Sequence, residues 1–332
     1  MALLLAGDIG GTHTLLQLFH RQGRQSTVVA ELSYRSADYS GLTPMVRQFL
    51  GEVGEGDRLQ GAAFGVAGPV VGGHARLTNL GWHLTVEQLA WDLGVPLVRL
   101  MNDFVAVGWG VDLLTPEQMV VLQDVPDDPF APSAIIGAGT GLGECFCVPG
   151  DRGPTIVASE GAHADFAPRN EREWELLRFL QQQYDTDHVS VERVVSGQGI
   201  GAIYRFLAQQ QPKQVSDTLQ HALNSDEDLA AAVSTAALVH QDPLAREAMQ
   251  LFVDAYAAEA GNMALKLLPY GGIWIAGGIA PKILPLLQTD RFLEVFRAKG
   301  RLSRMMPWFP IRVVLEPRVG LLGAARAAAS CI

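Results

Sequence analysis

The sequence predicts an α/β protein of two domains, and three observations carry that prediction. Apolar runs of strand length alternate with longer helical patterns along most of the 332 residues. A glycine-rich hairpin signature occurs twice. Gly7-Asp8-Ile9-Gly10-Gly11-Thr12 follows the apolar run 2–6, and Gly137-Ala138-Gly139-Thr140-Gly141-Leu142-Gly143 follows the run 133–136. A segment rich in Asp and Pro, residues 122–132, stands just before the second copy and reads as the linker.

In chain order, residues 1–20 read as two strands around the first hairpin, the second over 15–19. The run 60–66 is a buried strand that ends in the turn Ala67-Gly68-Pro69. Thr85 opens a helix to about Leu93, with Glu87 in its first turn, where a carboxylate favours the positive end of the helix dipole. Residues 95–100 form a short apolar strand that delivers Asn102-Asp103 at its C-terminal end, and a helix from Asp103 to about Gly110 follows. Open α/β sheets gather reactive groups at such strand ends. The second hairpin exits into a strand over 145–148. Helical patterns then cover 171–184, 225–239 and 243–268. A strand over 271–276 leads into Gly277-Gly278-Ile279 and a helix after Pro281. Residues 310–315 are the last strand and 320–330 the last helix.

Composition excludes several function classes. The chain is 48% hydrophobic with a net charge of −10, and its Lys and Arg residues are scattered, so neither nucleic acid nor an anionic membrane is an expected partner. No stretch approaches the ~20 apolar residues of a spanning helix. Met1 to Ala6 has no basic region and too short an apolar run for a signal peptide, so a cytoplasmic protein is expected. Cys145, Cys147 and Cys331 are a sparse, odd set that fits a reducing compartment. Cys145-Phe146-Cys147 could be half of a zinc site. Without a second pair at metal spacing, it reads as packing.

Two familiar nucleotide loops are also excluded. The run Gly-x-x-x-x-Gly-Lys-[Ser/Thr] does not occur. Gly197-Gln198-Gly199-Ile200-Gly201-Ala202 fits a dinucleotide formula, and Asp217 lies near the required distance. Only a short, charge-interrupted run precedes it and no βαβ pattern surrounds it, so it reads as a helix start.

What remains is a pair of loops whose glycines and threonines suit a phosphate chain held from two sides, in a cleft between two domains. Residue types alone leave Asp103 open between a catalytic base and a helix N-cap. They leave Asp8 open between a cation carboxylate and a turn former. Gly277-Gly278, after a strand, suits close approach to a ligand or tight packing. Glu160-x-x-His163 could suggest metal ligation, but Gly161 argues for a loop and no third ligand stands nearby.

Five blocks in order, Gly7–Thr12, Asn102-Asp103-Phe104, Gly137–Gly143, Glu160-Gly161-Ala162-His163 and Ala276-Gly277-Gly278-Ile279, resemble the bacterial glucokinase family of the hexokinase/actin-like superfamily. The matches extend to Ala164–Pro168, Glu192–Gly197 and Gly320–Ala324, so they cover nearly the whole chain. His13 stands where the family usually has Asn and stays unassigned, and Ala162 replaces a usual Gly. The Cys-x-Cys-Gly zinc motif of the related repressor/kinase (ROK) family is absent.

The resemblance implies two ribonuclease-H-like domains, 1–113 with 312–332 and 114–311, and a homodimer. It implies transfer of the γ-phosphoryl group of ATP to the 6-hydroxyl of glucose with Mg²⁺. Asp103 is then the base, and Asn102, Asp103, Glu160, His163 and Glu192 hold the sugar. Gly7, Asp8, Ile9, Gly10, Gly11 and Thr12 meet ATP from one domain, with Asp8 holding Mg²⁺ through water. Gly139, Thr140, Gly141, Gly277 and Gly278 meet it from the other. Rival expectations are a sugar sensor on the same scaffold, another hexose acceptor, and ADP or polyphosphate as donor. The sensor would need a DNA-binding segment, and none precedes Gly7.

Overall fold

The computed structural model describes residues 2–23, 25–54, 59–151, 153–225 and 228–330. Strands β1 (Ala2–Ile9), β2 (His13–Gln22) and β3 (Gln25–Arg35) precede helix α1 (Leu42–Val53). Strand β4 (Leu59–Val66) is followed by a small meander, β5 (Val70–Val71), β6 (His74–Leu77) and β7 (Trp82–Thr85). Helix α2 (Val86–Leu93), strand β8 (Val98–Asn102) and helix α3 (Asp103–Gly110) follow. Next come β9 (Met119–Gln123), β10 (Ser133–Ala138), β11 (Leu142–Val148) and β12 (Thr155–Ser159). Helices α4 (Glu171–Tyr184), α5 (Gly197–Gln210), α6 (Asp217–Leu223), α7 (Leu229–Leu238) and α8 (Pro243–Leu267) then run in succession. The chain closes with β13 (Ile273–Ala276), α9 (Leu284–Leu287), α10 (Asp290–Arg297), β14 (Ile311–Val314) and α11 (Val319–Ala329).

The chain divides into two compact units, Met1–Pro116 with Pro154–Ala158 and Glu316–Ile332, and Glu117–Gly153 with Ser159–Leu315. In the first, the sheet order is β3-β2-β1-β4-β8, antiparallel through the hairpin and parallel from β1 to β8. Alternation along β1 covers both faces of this sheet. Leu3, Leu5 and Ile9 join one apolar layer with Leu42, Met45, Val46 and Phe49, the i, i+3, i+4, i+7 stripe of α1. Leu4 and Ala6 join the other with Ala106 of α3 and Leu321, Ala324 and Ala328 of α11.

In the second unit five strands take the order β11-β10-β13-β14-β9. Again a hairpin is followed by parallel neighbours, β10 with β13 and β13 with β14, and β9 runs antiparallel at the far edge. Its core gathers Ile136, Ile273, Ile275 and Val313 from the sheet and Met249, Phe252, Val253 and Tyr256 from α8. Both units thus repeat one strand plan around their glycine hairpins.

The expected elements recur with shifted ends. Thr85 caps α2 by accepting the Gln88 N–H, and α3 spans Asp103–Gly110. The short strand expected at 95–100 is Val98–Asn102. The helix expected at 225–239 is Leu229–Leu238, residues 226 and 227 of that range lying outside the described residues. After Pro281 the chain makes two short helices, α9 and α10, in place of one.

The unit boundaries fall at 116/117 and 315/316, against the expected 113/114 and 311/312. The reason is that β14 is hydrogen-bonded between β13 and β9, which keeps it in the second unit. For the same reason the segment 122–132, the last two residues of β9 and its connection to β10, lies within that unit and is not the linker. Strand β3, helix α1 and the meander were not foreseen. Cys145 and Cys147 are buried in β11, no group of metal ligands occurs among the described residues, and Cys331 lies outside them.

Candidate active site

In the first unit the tip of the first hairpin is the turn Gly10–Thr12, closed by the Gly10 N–H donating to His13 O at 3.0 Å. Ser36 braces it. Its buried hydroxyl donates to Gly10 O at 2.8 Å, and its N–H donates to Thr12 O at 2.9 Å. Gly11, Thr12 and His13 are exposed, and the amide of Asn79 stands beside Gly11. Gly7 and Ile9 lie inside β1, Gly7 packed against Phe64 and Ile9 with its side chain fully buried, so only their backbones can meet a ligand.

Asp8 is half-buried between these two, and burial raises its carboxyl from 3.8 to about 6. Gly320, at the start of α11, makes room for it: a Cβ there would lie 3.0 Å from Asp8 Oδ2. This carboxylate, on a strand that ends at a glycine turn, suits a cation held through water, because Mg²⁺ retains much of its hydration.

Asn102 ends β8 and caps α3, its Oδ1 accepting the N–H groups of Phe104 at 2.9 Å and Val105 at 3.3 Å. Its Nδ2 donates to Gly68 O at 3.1 Å. The capping role that residue type had left open for Asp103 therefore belongs to its neighbour. Asp103 occupies the first helical position, half-buried, with Oδ1 accepting the Phe104 N–H at 3.0 Å. That position lies at the positive end of the α3 dipole. Helix α3 is held by α11, whose Gly323 meets the Ala106 carbonyl with no space for a side chain.

In the second unit the β10–β11 hairpin turns at Gly139–Gly141, with the Gly139 N–H donating to Gly141 O at 2.8 Å. Gly139 O accepts from the Gly197 N–H at 2.8 Å, which docks the N-terminus of α5 onto the hairpin. Ser196 caps that helix through Gly199 at 3.1 Å, so the dinucleotide-like glycines are a helix start, as expected. A helix N-terminus beside a glycine turn is a ready anion site.

Gly139, Thr140, Gly197 and Gly278 line one cavity of about 1050 Å³, which also contains Arg205 and Lys282. Gly277 and Gly278 do different work. Gly277 has φ +82° and a Cβ there would collide with the Ala138 backbone, a place for glycine alone, whereas Gly278 has open space around it.

Glu160 precedes and His163 ends the tight turn Gly161–His163, both mostly exposed, with His163 Nε2 3.7 Å from Glu160 Oε2. Backbone pairing brings Glu192 into the same region. Phe166 N–H donates to Val189 O at 2.8 Å, and Val191 N–H to Ala164 O at 2.9 Å. Glu192 then points its Oε2 at the second hairpin, accepting the Leu142 N–H at 2.9 Å, and its carboxylate fills the space a side chain at Gly141 would need. The structure thus brings together Glu160, His163, Glu192 and Gly139–Gly141 in the second unit, and Asp8, Gly10–Thr12, Asn102 and Asp103 in the first.

Several contributors went unread in the sequence. Ser36 lies outside every motif. His188 supports the Gly161–His163 turn, its ring nitrogens meeting His163 O at 3.1 Å and Asp165 Oδ1 at 2.8 Å. Glu144, buried beneath Gly161, had one signal: a lone acid inside an apolar strand. Arg205 and Lys282 carried none, because sequence position does not show which helix faces line a cavity.

A family model described as Glucokinase matches residues 5–331. The chain is 49% identical over 340 residues to the glucokinase of Nostoc sp. (strain PCC 7120), with 99% of each covered. Among solved structures it resembles a glucokinase from an Antarctic psychrotroph, with a TM-score of 0.83 at 28% identity and 99% of each chain covered. A ROK family glucokinase from Streptomyces griseus, in complex with glucose and AMPPNP, gives a TM-score of 0.66 at 21% identity, again with 99% of each chain covered. At that identity the likeness carries the fold alone.

Proposed function

The chain belongs to the glucokinase family and is an ATP-dependent sugar kinase, and we propose that it forms glucose 6-phosphate and ADP from ATP and D-glucose with the residues assembled above. The observation that carries this reading is the Leu142–Glu192 hydrogen bond, which sets a sugar-type carboxylate against a phosphate-type hairpin. Carboxylates, an imidazole and an amide are the groups that read several hydroxyls at once, and sites built on them reject analogues lacking a hydroxyl.

In this reading Glu160, His163 and Glu192 hold the ring hydroxyls of glucose. Asn102 offers its second Nδ2 hydrogen to the sugar, since its Oδ1 is committed to the cap. Asp103 accepts the proton of the 6-hydroxyl and aligns that oxygen on the γ-phosphorus. The transition state of phosphoryl transfer is loose, so alignment counts for as much as proton removal. The hairpins at Gly10–Thr12 and Gly139–Gly141 direct backbone N–H groups and threonine hydroxyls at the phosphates. The cavity beside Gly278 takes the adenosine, with Arg205 and Lys282 as its cationic lining. Asp8 is the residue that would hold Mg²⁺, and the ion would supply neutralisation of phosphate charge. The reading extends to a cytoplasmic homodimer acting at the first step of glycolysis. No helix among the described residues is long and apolar enough to cross a membrane.

The test is a coupled assay of the purified chain across a panel of hexoses with ATP, ADP and polyphosphate. Turnover confined to ATP with glucose preferred is the expected result. Preference for another hexose would move the acceptor, and absence of turnover with every pair would overturn the catalytic reading.

A further inference from the structure

Glu144 lies on β11, only 2% exposed, and faces α8, where Glu259 and Lys266 are its charged neighbours and Tyr256 a third titratable one. Its Oε1 is buried without a hydrogen-bond partner among the described residues. A buried carboxyl oxygen in that condition is costly and is retained where its position matters. Its other oxygen lies against Gly161: a Cβ at 161 would collide with Glu144 Oε2 and stand 3.0 Å from Ser159 Oγ. The Gly161 turn is otherwise fixed by Gly161 N–H to Ser159 Oγ at 3.0 Å, His163 N–H to Glu160 O at 3.0 Å, and the buried Ala162. Glu144 is therefore the floor on which the turn carrying Glu160 and His163 rests. Because β11 also carries the Leu142 N–H, one short strand touches all three sugar-type residues, Glu192 directly and the other two through their turn.

We propose that Glu144 is a positioning residue for sugar recognition, its carboxyl setting the height of the Glu160–His163 turn by occupying the space beneath Gly161. The proposal rests on the assignment of Glu160 and His163 to the sugar. Groups that hold the ring act alike in ground and transition states, so their displacement registers in KM and leaves kcat nearly unchanged.

The experiment compares E144A, E144Q, G161A, the double variant E144A/G161A, and E160Q as a control, each with glucose and ATP varied separately. E144A is expected to raise the glucose KM about tenfold, with kcat and the ATP KM within about threefold of wild type. E144Q keeps the shape and is expected to stay within about threefold throughout. G161A is expected to raise the glucose KM, and E144A to rescue it in part by vacating room for the methyl group. An unchanged glucose KM in folded E144A overturns the proposal, as does a parallel rise in both KM values, the mark of a merely structural role. Should E144A fail to fold, G161A decides: a wild-type glucose KM there overturns it. E160Q separates the two layers. A raised KM in E160Q beside an unchanged one in E144A removes only the positioning role, whereas unchanged values in both remove the sugar assignment itself.

Discussion

Leu142 donates its backbone N–H to Glu192 Oε2 at 2.9 Å, so the glycine hairpin and the Glu192 carboxylate of the second unit are one hydrogen-bonded piece. The carboxylate occupies the space that a side chain at Gly141 would need.

The substitutions at Glu192 should separate its two duties. Glu192→Gln keeps an oxygen that accepts from Leu142 but loses the charge, so the glucose KM should rise about tenfold while the ATP KM stays within about twofold. Glu192→Ala loses both and should raise the two KM values together. An ATP KM in the Ala variant equal to wild type would show that the bond does not support the hairpin.

Gly277 and Gly278 should respond oppositely to added side chains. Gly277→Ala forces a left-handed residue that costs about 1–2 kcal/mol, and collision with Ala138 adds to it. Its thermal midpoint should fall. Gly278→Ala has open space and should keep the midpoint, whereas Gly278→Leu should raise the ATP KM by filling the cavity. Equal midpoints for the two alanine variants would contradict the division of roles.

Glu144 should make stability depend on pH. Burial first, then Glu259, raises its carboxyl from 4.5 to about 7, with Lys266 opposing. A raised folded value means that the contribution is full below about pH 4.5, in the unfolded-state range, and is lost as pH rises through about 7. At most about 3 kcal/mol is involved. Denaturant titrations should find E144Q more stable than wild type at pH 8, with the gap closing toward pH 4.5. A gap that widens on acidification would contradict the assignment.

Asp8 should govern the cation requirement. Asp8→Asn removes the carboxylate while preserving shape, so activity at fixed ATP should need more Mg²⁺ and reach a lower ceiling. A magnesium titration superimposable on wild type would take Asp8 out of that role.

Much of this was legible in the sequence because it is local. Thr85 and Glu87 announce a capped helix, and the two hairpins are contiguous motifs that fold as read. Asn102 and Asp103 fall where a strand must meet a helix, although which of the two does the capping is settled by backbone angles that residue type does not encode. Strand β3 was missed because its first half is solvent-exposed and carries no inward alternation. The approach of Glu192 to Gly141 depends on pairing between 164–166 and 189–191, a long-range set of hydrogen bonds with no local signature. The unit that β14 joins is not legible because a strand of four residues, Ile311–Val314, does not say which sheet it pairs with.

Asp103, at the first position of α3, is proposed to serve the sugar hydroxyl. The most direct test is Asp103→Ala, with kcat measured at saturating ATP and glucose and glucose affinity by calorimetry. A fall in kcat of about 10²–10⁴-fold with affinity changed little is expected. A variant that binds glucose and turns over near the wild-type rate would contradict it.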